Sequence, residues 1–334
     1  MHSNINLAEK GKDNRVGWID CLKALGIYLV ILGHTLKDSY LSVWIYSFHM
    51  PLFFILSGYL IGAKSNISDK KEYLKRKSKS LLLPFIVFRV LLVTYWLLVE
   101  SHFRELDLGP IWFLIILFFV EISIVPVFTT NKNLLKNSII TVGVILFYLL
   151  LRPVLPDEHY FYPWVKVYLN GTIWFCLGFL SRSVTDGIDL KKNMGIALMV
   201  LSFLVSICFC NYNGSVSIYS DIVNNYLLFL FFGAIGTLSF FLFSKLVVKK
   251  NRLLEYIGKY TIVILAVHEP IKRILLKSME VISGISVYEF QHNDIYAIVI
   301  SLFVLSLTFP VIQMFKIIKN RTGRFGEVVL GFIK

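Results

Sequence analysis

Long apolar runs separated by short polar segments occupy almost the whole chain, and each run is about as long as a bilayer is thick. A transmembrane helix takes about 20 mostly apolar residues, and ten runs meet that requirement. The pattern therefore predicts an all-α, polytopic membrane helical bundle with about ten transmembrane helices. The predicted spans are 18–36, 44–62, 81–100, 110–129, 137–152, 168–182, 194–210, 222–244, 260–276 and 294–315.

The composition also indicates a membrane protein and excludes a soluble one. The 334-residue chain is 56% hydrophobic and only 16% charged, and its mean hydropathy is +0.69, whereas soluble domains carry roughly 25% charged residues. The spans leave only short loops between them, so residues 1–334 are expected to form one membrane-embedded domain. Four cysteines lie in or beside spans without paired spacing, and we interpret them as packing residues rather than as a disulfide framework or a zinc site.

The distribution of Lys and Arg predicts the topology. If the N-terminus is cytoplasmic, the loops on that side hold 25 basic residues, against 5 in the opposite loops. Because basic loops stay on the cytoplasmic side, both termini, with tails at 1–17 and 316–334, are expected there. No cleavage pattern of small residues follows the first apolar run, so this span is expected to stay uncleaved. Topology accounts for the net charge of +13, and no nucleic-acid partner is expected.

The first span carries three ionisable residues, Asp20, Lys23 and His34, in surroundings that disfavour charge. At about 100° per residue, Lys23 and His34 lie within about 20° of the same helix face and about 16 Å apart along the axis. Asp20 lies three residues before Lys23 and can pair with it. This stripe suits a molecule that enters from the cytoplasm with its anionic end at Lys23 and its reactive end at His34. The simpler alternative is an interfacial Asp20–Lys23 pair, with His34 among lipid headgroups.

Later spans add further ionisable candidates. His49 is predicted to lie at the depth of His34, where two histidines could supply a general base and a partner that orients substrate or holds charge. Two histidines without a third ligand are a weak metal signal, and no metal is expected. In the ninth span, His268 and Glu269 precede Pro270, a combination typical of a helix that lines a cavity.

Three other features have structural interpretations. Arg89 and Glu121 both fall near mid-membrane, so a buried ion pair between the third and fourth spans is expected. Gly58 in the second span is interpreted as a position of close helix packing. Segment 64–80 is predicted to be a basic cytoplasmic loop, which either touches anionic lipid headgroups or binds an anionic cytoplasmic ligand.

Five short segments follow one another in a defined order along the chain. The first is a basic residue, ten others and a histidine, here Lys23 and His34, preceded by an acid at Asp20; the others are FHMPLFFILSGYL at 48–60, LLLP at 81–84, WFL at 112–114 and GKYTIVILAVHEP at 258–270. This ordered set resembles the acyltransferase-3 family, integral membrane enzymes that acylate sugars and glycans at the bacterial envelope. The resemblance extends over most of the chain.

The resemblance implies an O-acyltransferase of the bacterial inner membrane that uses acyl-CoA, usually acetyl-CoA. Its acceptor would be a hydroxyl of a glycan such as O-antigen, capsule or exopolysaccharide, or of a lipid-linked sugar. His34 is expected to be the general base, with Asp20, His49, His268 and Glu269 as further catalytic candidates. The residues expected to bind the anionic CoA donor are Lys23, Lys75, Arg76, Lys77, Lys79 and Arg89.

Several alternatives stay open at this point. The family usually has Arg where this chain has Lys23, which offers a point charge instead of a planar fork. A covalent acyl-histidine relay is the alternative to general-base catalysis by His34. Ten spans with intramembrane charges also fit a proton-coupled transporter, although the halves show no twofold relation, and a noncatalytic scaffold would leave the polar stripe unexplained.

Partners are expected on both sides of the membrane. Some members of the family carry an additional extracytoplasmic hydrolase-like domain, which this chain is expected to lack. We therefore expect it to complete the transfer itself or to pass the acyl group to a separate protein. Membrane lipids, glycan-assembly proteins and a second copy of the chain are further candidate partners.

Overall fold

The computed structural model describes residues 16–62, 69–101, 108–128, 133–155, 162–185 and 191–333. Within these ranges the protein is helical, and the nearest approach to a strand is one antiparallel bridge between Ser217 and Ile222. The predicted all-α fold is therefore confirmed. The described α-helices are α1 Gly17–Thr35, α2 Tyr40–Gly62, α3 Lys70–Lys77, α4 Leu83–Val99, α5 Trp112–Phe128, α6 Leu134–Leu151, α7 Tyr162–Thr185, α8 Lys192–Phe209, α9 Tyr226–Leu242, α10 Arg252–Lys259, α11 Thr261–Ser283, α12 Val287–His292, α13 Asp294–Arg321 and α14 Gly323–Val329.

Eight helical stretches of the described chain are long and apolar enough to cross a membrane. They contain α1, α2, α4, α5, α6, α8, α9 and α13. The sixth and ninth predicted spans correspond to α7 and α11, which are 24 and 23 residues long but are more polar. The protein is thus a multi-pass membrane protein, while the count of ten spans and the side on which the termini lie stay predictions.

The segments predicted as a cytoplasmic loop and a C-terminal tail are largely helical where the structure describes them. The part of the basic segment that is described forms α3, whose first turn is capped by the Asp69 carboxylate accepting from the backbone N–H groups of Lys71 and Glu72. A π-helical turn, Ser78–Leu82, joins α3 to α4. The predicted C-terminal tail is also largely helical, because α13 continues to Arg321 and α14 follows. Residues 1–15 of the predicted N-terminal tail and 64–68 of the predicted loop lie outside the described residues.

Helices α2 and α7 pack backbone to backbone at the centre of the bundle. A Cβ atom at Gly58 would lie 2.0 Å from the carbonyl oxygen of Phe175, and one at Gly178 would lie 2.0 Å from the carbonyl oxygen of Ile55. Any larger residue at either glycine would force the two helices apart. The predicted close-packing role of Gly58 is therefore confirmed.

The prediction of an ion pair between Arg89 and Glu121 is wrong. Glu121 pairs instead with Lys77 and accepts a 2.7 Å hydrogen bond from the hydroxyl of Tyr73. The reason is that α3 runs beside α5 before the π-helical turn, so that its side chains reach the carboxylate first. The Arg89 guanidinium lies 5.6 Å from the ring centroid of Trp96. All four cysteines are free thiols; Cys21, Cys176 and Cys210 are buried, as expected for packing residues, whereas Cys208 is exposed.

Candidate active site

One face of α1 lines two neighbouring cavities. Lys23, Ile27 and Val30 lie in the wall of a cavity of about 1200 Å³, and His34 lies in the wall of a pocket of about 290 Å³. We call these the large cavity and the small pocket. The spacing of four, three and four residues keeps the side chains on one side of the helix, which confirms the predicted stripe. Its two ends lie in the walls of different cavities.

At the Lys23 end of the stripe, the predicted pair forms. The Lys23 Nζ lies 3.0 Å from the Asp20 Oδ1, and the Asp20 carboxylate is buried. One turn of helix brings i and i+3 side chains together, so the contact follows from spacing alone. Lys23 keeps about a quarter of its side chain exposed, 27%, and faces the large cavity with its charge already matched by Asp20.

The small pocket is built from seven elements of the chain. Helix α1 supplies His34 and α2 supplies Tyr46 and His49. Trp96 of α4 lines it, and so do Gly109 and Pro110 of a short 3-10 segment and Trp112 of α5. The segment between α8 and α9 gives residues 217–220, and α11 gives Glu269 and Arg273. The structure thus brings His34, His49 and Glu269 together as predicted.

His34 lies beside two residues of α11. Its ring centroid is 5.3 Å from that of His268, in an edge-to-face arrangement. One ring nitrogen of each histidine and one carboxylate oxygen of Glu269 all lie within 4.8 Å of one another. His268 is completely buried and lies outside the pocket wall, whereas His34 and Glu269 face the pocket. His34 is therefore the member of this cluster that a substrate can reach together with its carboxylate neighbour.

Backbone carbonyls fix the tautomers of the other two histidines. The Nδ1 of His49 lies 2.9 Å from the carbonyl oxygen of Ile45, and the Nδ1 of His268 lies 2.8 Å from that of Leu265. A carbonyl oxygen only accepts, so each Nδ1 carries the proton and each Nε2 presents a lone pair. The Nε2 of His268 is buried without a hydrogen-bond partner among the described residues.

Two cations hold the Glu269 carboxylate. Its Oε2 lies 2.7 Å from the Lys272 Nζ, and its Oε1 accepts a 2.8 Å hydrogen bond from the Arg273 Nε. Arg273 reaches further to the Glu100 carboxylate at 3.1 Å. Lys272, predicted only to lie within a span, is buried and also donates to the backbone carbonyl of His34. The network keeps an ionised carboxylate next to His34 and fixes its direction.

The same three groups have the composition of a metal site, but the charges around them oppose that use. His34, His268 and Glu269 could offer three ligand atoms. Both oxygens of Glu269 are, however, already engaged by Lys272 and Arg273 at 2.7 and 2.8 Å. A divalent ion there would compete with two neighbouring cations for one carboxylate. The arrangement instead places the His34 ring within 4.8 Å of an oriented carboxylate, a neighbour that can stabilise an imidazolium.

The structure divides the basic residues that were predicted to bind the donor. Lys23, Lys77 and Lys79 line the large cavity, whereas Lys75, Arg76 and Arg89 do not. Lys75 and Arg76 are exposed on α3, where Arg76 lies 3.9 Å from Glu72. Of the three that line the cavity, Lys77 is paired with Glu121 and Lys23 with Asp20, and Lys79 has no ion-pair partner among the described residues.

Sequence reasoning missed Lys259. It lies in the wall of the large cavity, with its Nζ 5.5 Å from the ring centroid of Tyr260. In the sequence it is one of several lysines just before the ninth span, and no spacing rule distinguishes it from the others. Only the packing of α10 against α1, where the Gly258 backbone touches that of Asp20, brings it to the cavity.

Sequence reasoning also missed the segment that covers the small pocket. Asp221, which adopts a left-handed backbone conformation, anchors it. Its carboxylate accepts hydrogen bonds from the Tyr148 hydroxyl at 2.9 Å and the Arg152 Nε at 3.1 Å, and lies 3.8 Å from the Lys166 Nζ. The segment therefore presents residues 217–220 to the pocket from a fixed position. The sequence feature that could have identified this segment is Asp221, a single acidic residue in a polar loop.

Aromatic rings form one side of the small pocket. The Tyr219 ring centroid lies 5.7 Å from that of Trp112 and 5.8 Å from that of Trp164. Trp112, which sequence alone does not separate from an interface anchor, is 7% exposed and faces the pocket. Apolar faces next to the hydroxyls of Ser217 and Ser220 suit a ligand with both apolar faces and polar edges.

Comparison with known proteins agrees with this arrangement. A family model described as an acyltransferase domain, that of the acyltransferase-3 family, matches residues 16–315. The chain belongs to the acyltransferase-3 family. The match spans α1 through α12 and most of α13, whereas Glu327 and Val328 of α14, which also line the large cavity, lie beyond it. The expected family membership is therefore confirmed.

Two curated relatives are similar to the acyltransferase-3 chain. The nodulation protein NolL of Sinorhizobium fredii is 27% identical over 241 residues, which cover 64% of this chain and 62% of the relative. The nodulation protein NolL of Mesorhizobium japonicum is 28% identical over 258 residues, 67% of this chain and 65% of the relative. The chain thus spans a little less than two thirds of the length of these relatives. No solved structure matches it.

Proposed function

We propose that this protein is an integral membrane O-acyltransferase that moves an acyl group from acyl-CoA to a hydroxyl of a cell-envelope glycan. Acetyl-CoA is the proposed donor. The observation that carries the proposal is that the Lys23–His34 face of α1 continues from the large cavity into the small pocket. Two substrates approaching from opposite ends of the bundle would meet beside His34.

The large cavity suits the donor. Four lysines line it, Lys23, Lys77, Lys79 and Lys259, against the carboxylates of Glu121 and Glu327. The excess of positive charge favours an anionic ligand, and a CoA nucleotide is a polyanion. The rest of the wall is largely apolar, which fits the narrow pantetheine arm that would extend toward His34.

The small pocket suits an uncharged acceptor. The two carboxylates and two cations of its network, Glu100, Glu269, Lys272 and Arg273, balance one another. A neutral, aromatic-walled pocket with serine hydroxyls favours a sugar ring over a phosphate. Its volume of about 290 Å³ is at the lower end of ligand pockets, about 300–1,000 Å³, which fits one sugar unit together with the incoming acyl group.

The proposed reaction uses His34 as the general base. Its imidazole removes the proton from the acceptor hydroxyl while the oxygen attacks the thioester carbonyl carbon. The C–O bond forms, the C–S bond breaks, and the departing CoA thiolate takes the proton back from the imidazolium. The ionised Glu269 carboxylate, held by Lys272 and Arg273, stabilises the imidazolium during the transfer. His49 and His268 are proposed to orient the substrate and the imidazole ring of His34.

Topology and location follow as part of the proposal. The excess of basic residues on one side supports placing the large cavity at the cytoplasmic face of a bacterial inner membrane. The small pocket then opens toward the extracytoplasmic side. Glycan-assembly proteins or a second copy of the chain are proposed partners there, together with a glycan or a lipid-linked sugar.

The test uses purified protein in liposomes. Acetyl-CoA is supplied outside inside-out vesicles, in which the large cavity faces the outer solution, and the release of free CoA thiol is followed with and without a bacterial glycan acceptor. We expect acceptor-dependent thiol release and, by mass spectrometry, one added acetyl ester on the glycan. Movement of the glycan precursor across the bilayer without thioester turnover would identify a transporter instead. In cells, deletion and restoration of the gene should remove and return glycan-bound acetate.

A further inference from the structure

Met50 borders both cavities. Among the described residues in the two walls, it is the one that the large cavity and the small pocket share. On α2, Tyr46 and His49, which precede Met50, face the small pocket, whereas Phe53 and Ser57, which follow it, face the large cavity. The spacing of three and four residues places all five on one face of the helix.

The layer between the cavities is apolar and about one side chain thick. On α1, Val30 lines the large cavity, and His34, four residues later on the same face, lines the small pocket. On α11, Leu265 and Glu269 are arranged in the same way. Four residues of helix rise by about 6 Å. Val30 is 1% exposed and Leu265 is 8% exposed, so both are fixed by their neighbours, while Met50 is half-buried.

Methionine is well suited to a variable constriction. Its side chain is unbranched, has three rotatable bonds and fills irregular gaps. A thioester whose nucleotide is held among the lysines of the large cavity must bring its carbonyl carbon past this layer to meet His34. Any carbons beyond the carbonyl must then fit beside the Met50 side chain or occupy space needed by the acceptor.

We infer that Met50 sets the length of the acyl group that the protein transfers. The inference rests on the proposed function and adds a specificity-determining residue to it. With Met50 in place, the room at the junction admits a short acyl group. Since one methylene in an apolar pocket changes selectivity by about tenfold or more, shortening this side chain should admit acyl groups longer by one or two methylenes.

The experiment compares acetyl-CoA, propionyl-CoA and butyryl-CoA as donors for the full-length protein in liposomes. For Met50→Ala we expect the ratio of kcat/KM for butyryl-CoA to that for acetyl-CoA to rise by about tenfold or more. Met314→Ala is the matched control, because this methionine is 48% exposed on α13 and lies in neither cavity wall. It makes the same chemical change and should leave the ratio and the acetyl activity at the parental value.

A second variant tests the opposite direction. Met50→Phe should narrow the junction and lower kcat for the acetyl donor, with the butyryl donor reduced more, while binding of CoA itself stays within about twofold. If Met50→Ala does not fold, Met50→Phe decides the question. An unchanged donor ratio in either folded variant overturns the inference and leaves the acyltransferase proposal standing. If the parent turns over none of the three donors, the proposed function fails and the inference fails with it.

Discussion

Lys272 donates a 2.8 Å hydrogen bond to the backbone carbonyl oxygen of His34. This carbonyl lies in the last turn of α1, where backbone acceptors lack partners within the helix and a cation is favourable. The same ammonium group pairs with Glu269. One buried lysine therefore fixes the end of the helix that carries the proposed base and also the carboxylate that faces it.

His34 is the residue whose removal should affect chemistry most. Loss of a general base lowers the rate by about 10² to 10⁴, so His34→Ala should lower kcat by that order while acetyl-CoA affinity stays nearly parental. His292→Ala is the matched control, because His292 pairs with Asp38 outside both cavity walls. Turnover and donor binding are measured on the same preparation.

The other two pocket histidines should behave differently from His34. His49→Ala and His268→Ala are expected to have milder effects on kcat, since each Nδ1 is already bound to a backbone carbonyl and neither ring is assigned the proton transfer. Parental turnover by a well-folded His34→Ala protein would remove His34 from the mechanism. Loss of donor binding with an intact fold would assign it to recognition.

Glu269 should act through His34 rather than through substrate binding. Glu269→Gln removes the negative charge that stabilises the imidazolium, so kcat should fall by about tenfold or more, while KM for the donor changes little. Glu100→Gln makes the same change on the far side of Arg273 and should retain most of the activity. Equal kcat values for the two variants, with equal melting temperatures, would contradict the role of Glu269.

Binding of the anionic acyl-CoA donor should depend on the lysines that face the large cavity. Lys79→Ala and Lys259→Ala are expected to raise the apparent KM for acyl-CoA with little change in kcat, and added salt should have the same effect by screening. Lys75→Ala and Arg76→Ala remove equal charge from the exposed face of α3 and should change KM much less. A larger effect from the exposed pair would mean that the donor binds outside the cavity.

The anchored segment over the small pocket should determine acceptor binding. Asp221→Asn weakens the contacts with Arg152 and Lys166, so residues 217–220 should lose their fixed position. We expect KM for the glycan acceptor to rise several-fold while KM for acetyl-CoA stays parental. Steady-state kinetics with each substrate varied in turn separates the two. An effect confined to the donor would contradict the assignment of the small pocket to the acceptor.

The sequence by itself determined the features that lie within one helix. Apolar run length indicated the helices of a multi-pass bundle, and a turn of about 100° per residue placed Lys23 and His34 on one face and Asp20 next to Lys23. These contacts depend on backbone geometry that every α-helix shares. For that reason the Asp20–Lys23 pair and the stripe of α1 could be predicted without knowledge of the neighbours.

Only the tertiary structure decided the contacts between helices. Depth along the membrane suggested Arg89 as the partner of Glu121, but the π-helical turn after α3 brings Lys77 there instead. The cluster of His34 with His268 joins residues 234 positions apart, as residue numbers show. Depth does not specify how each helix is rotated about its axis or which helix lies beside it. Side-chain packing sets both, as the close contact at Gly58 shows.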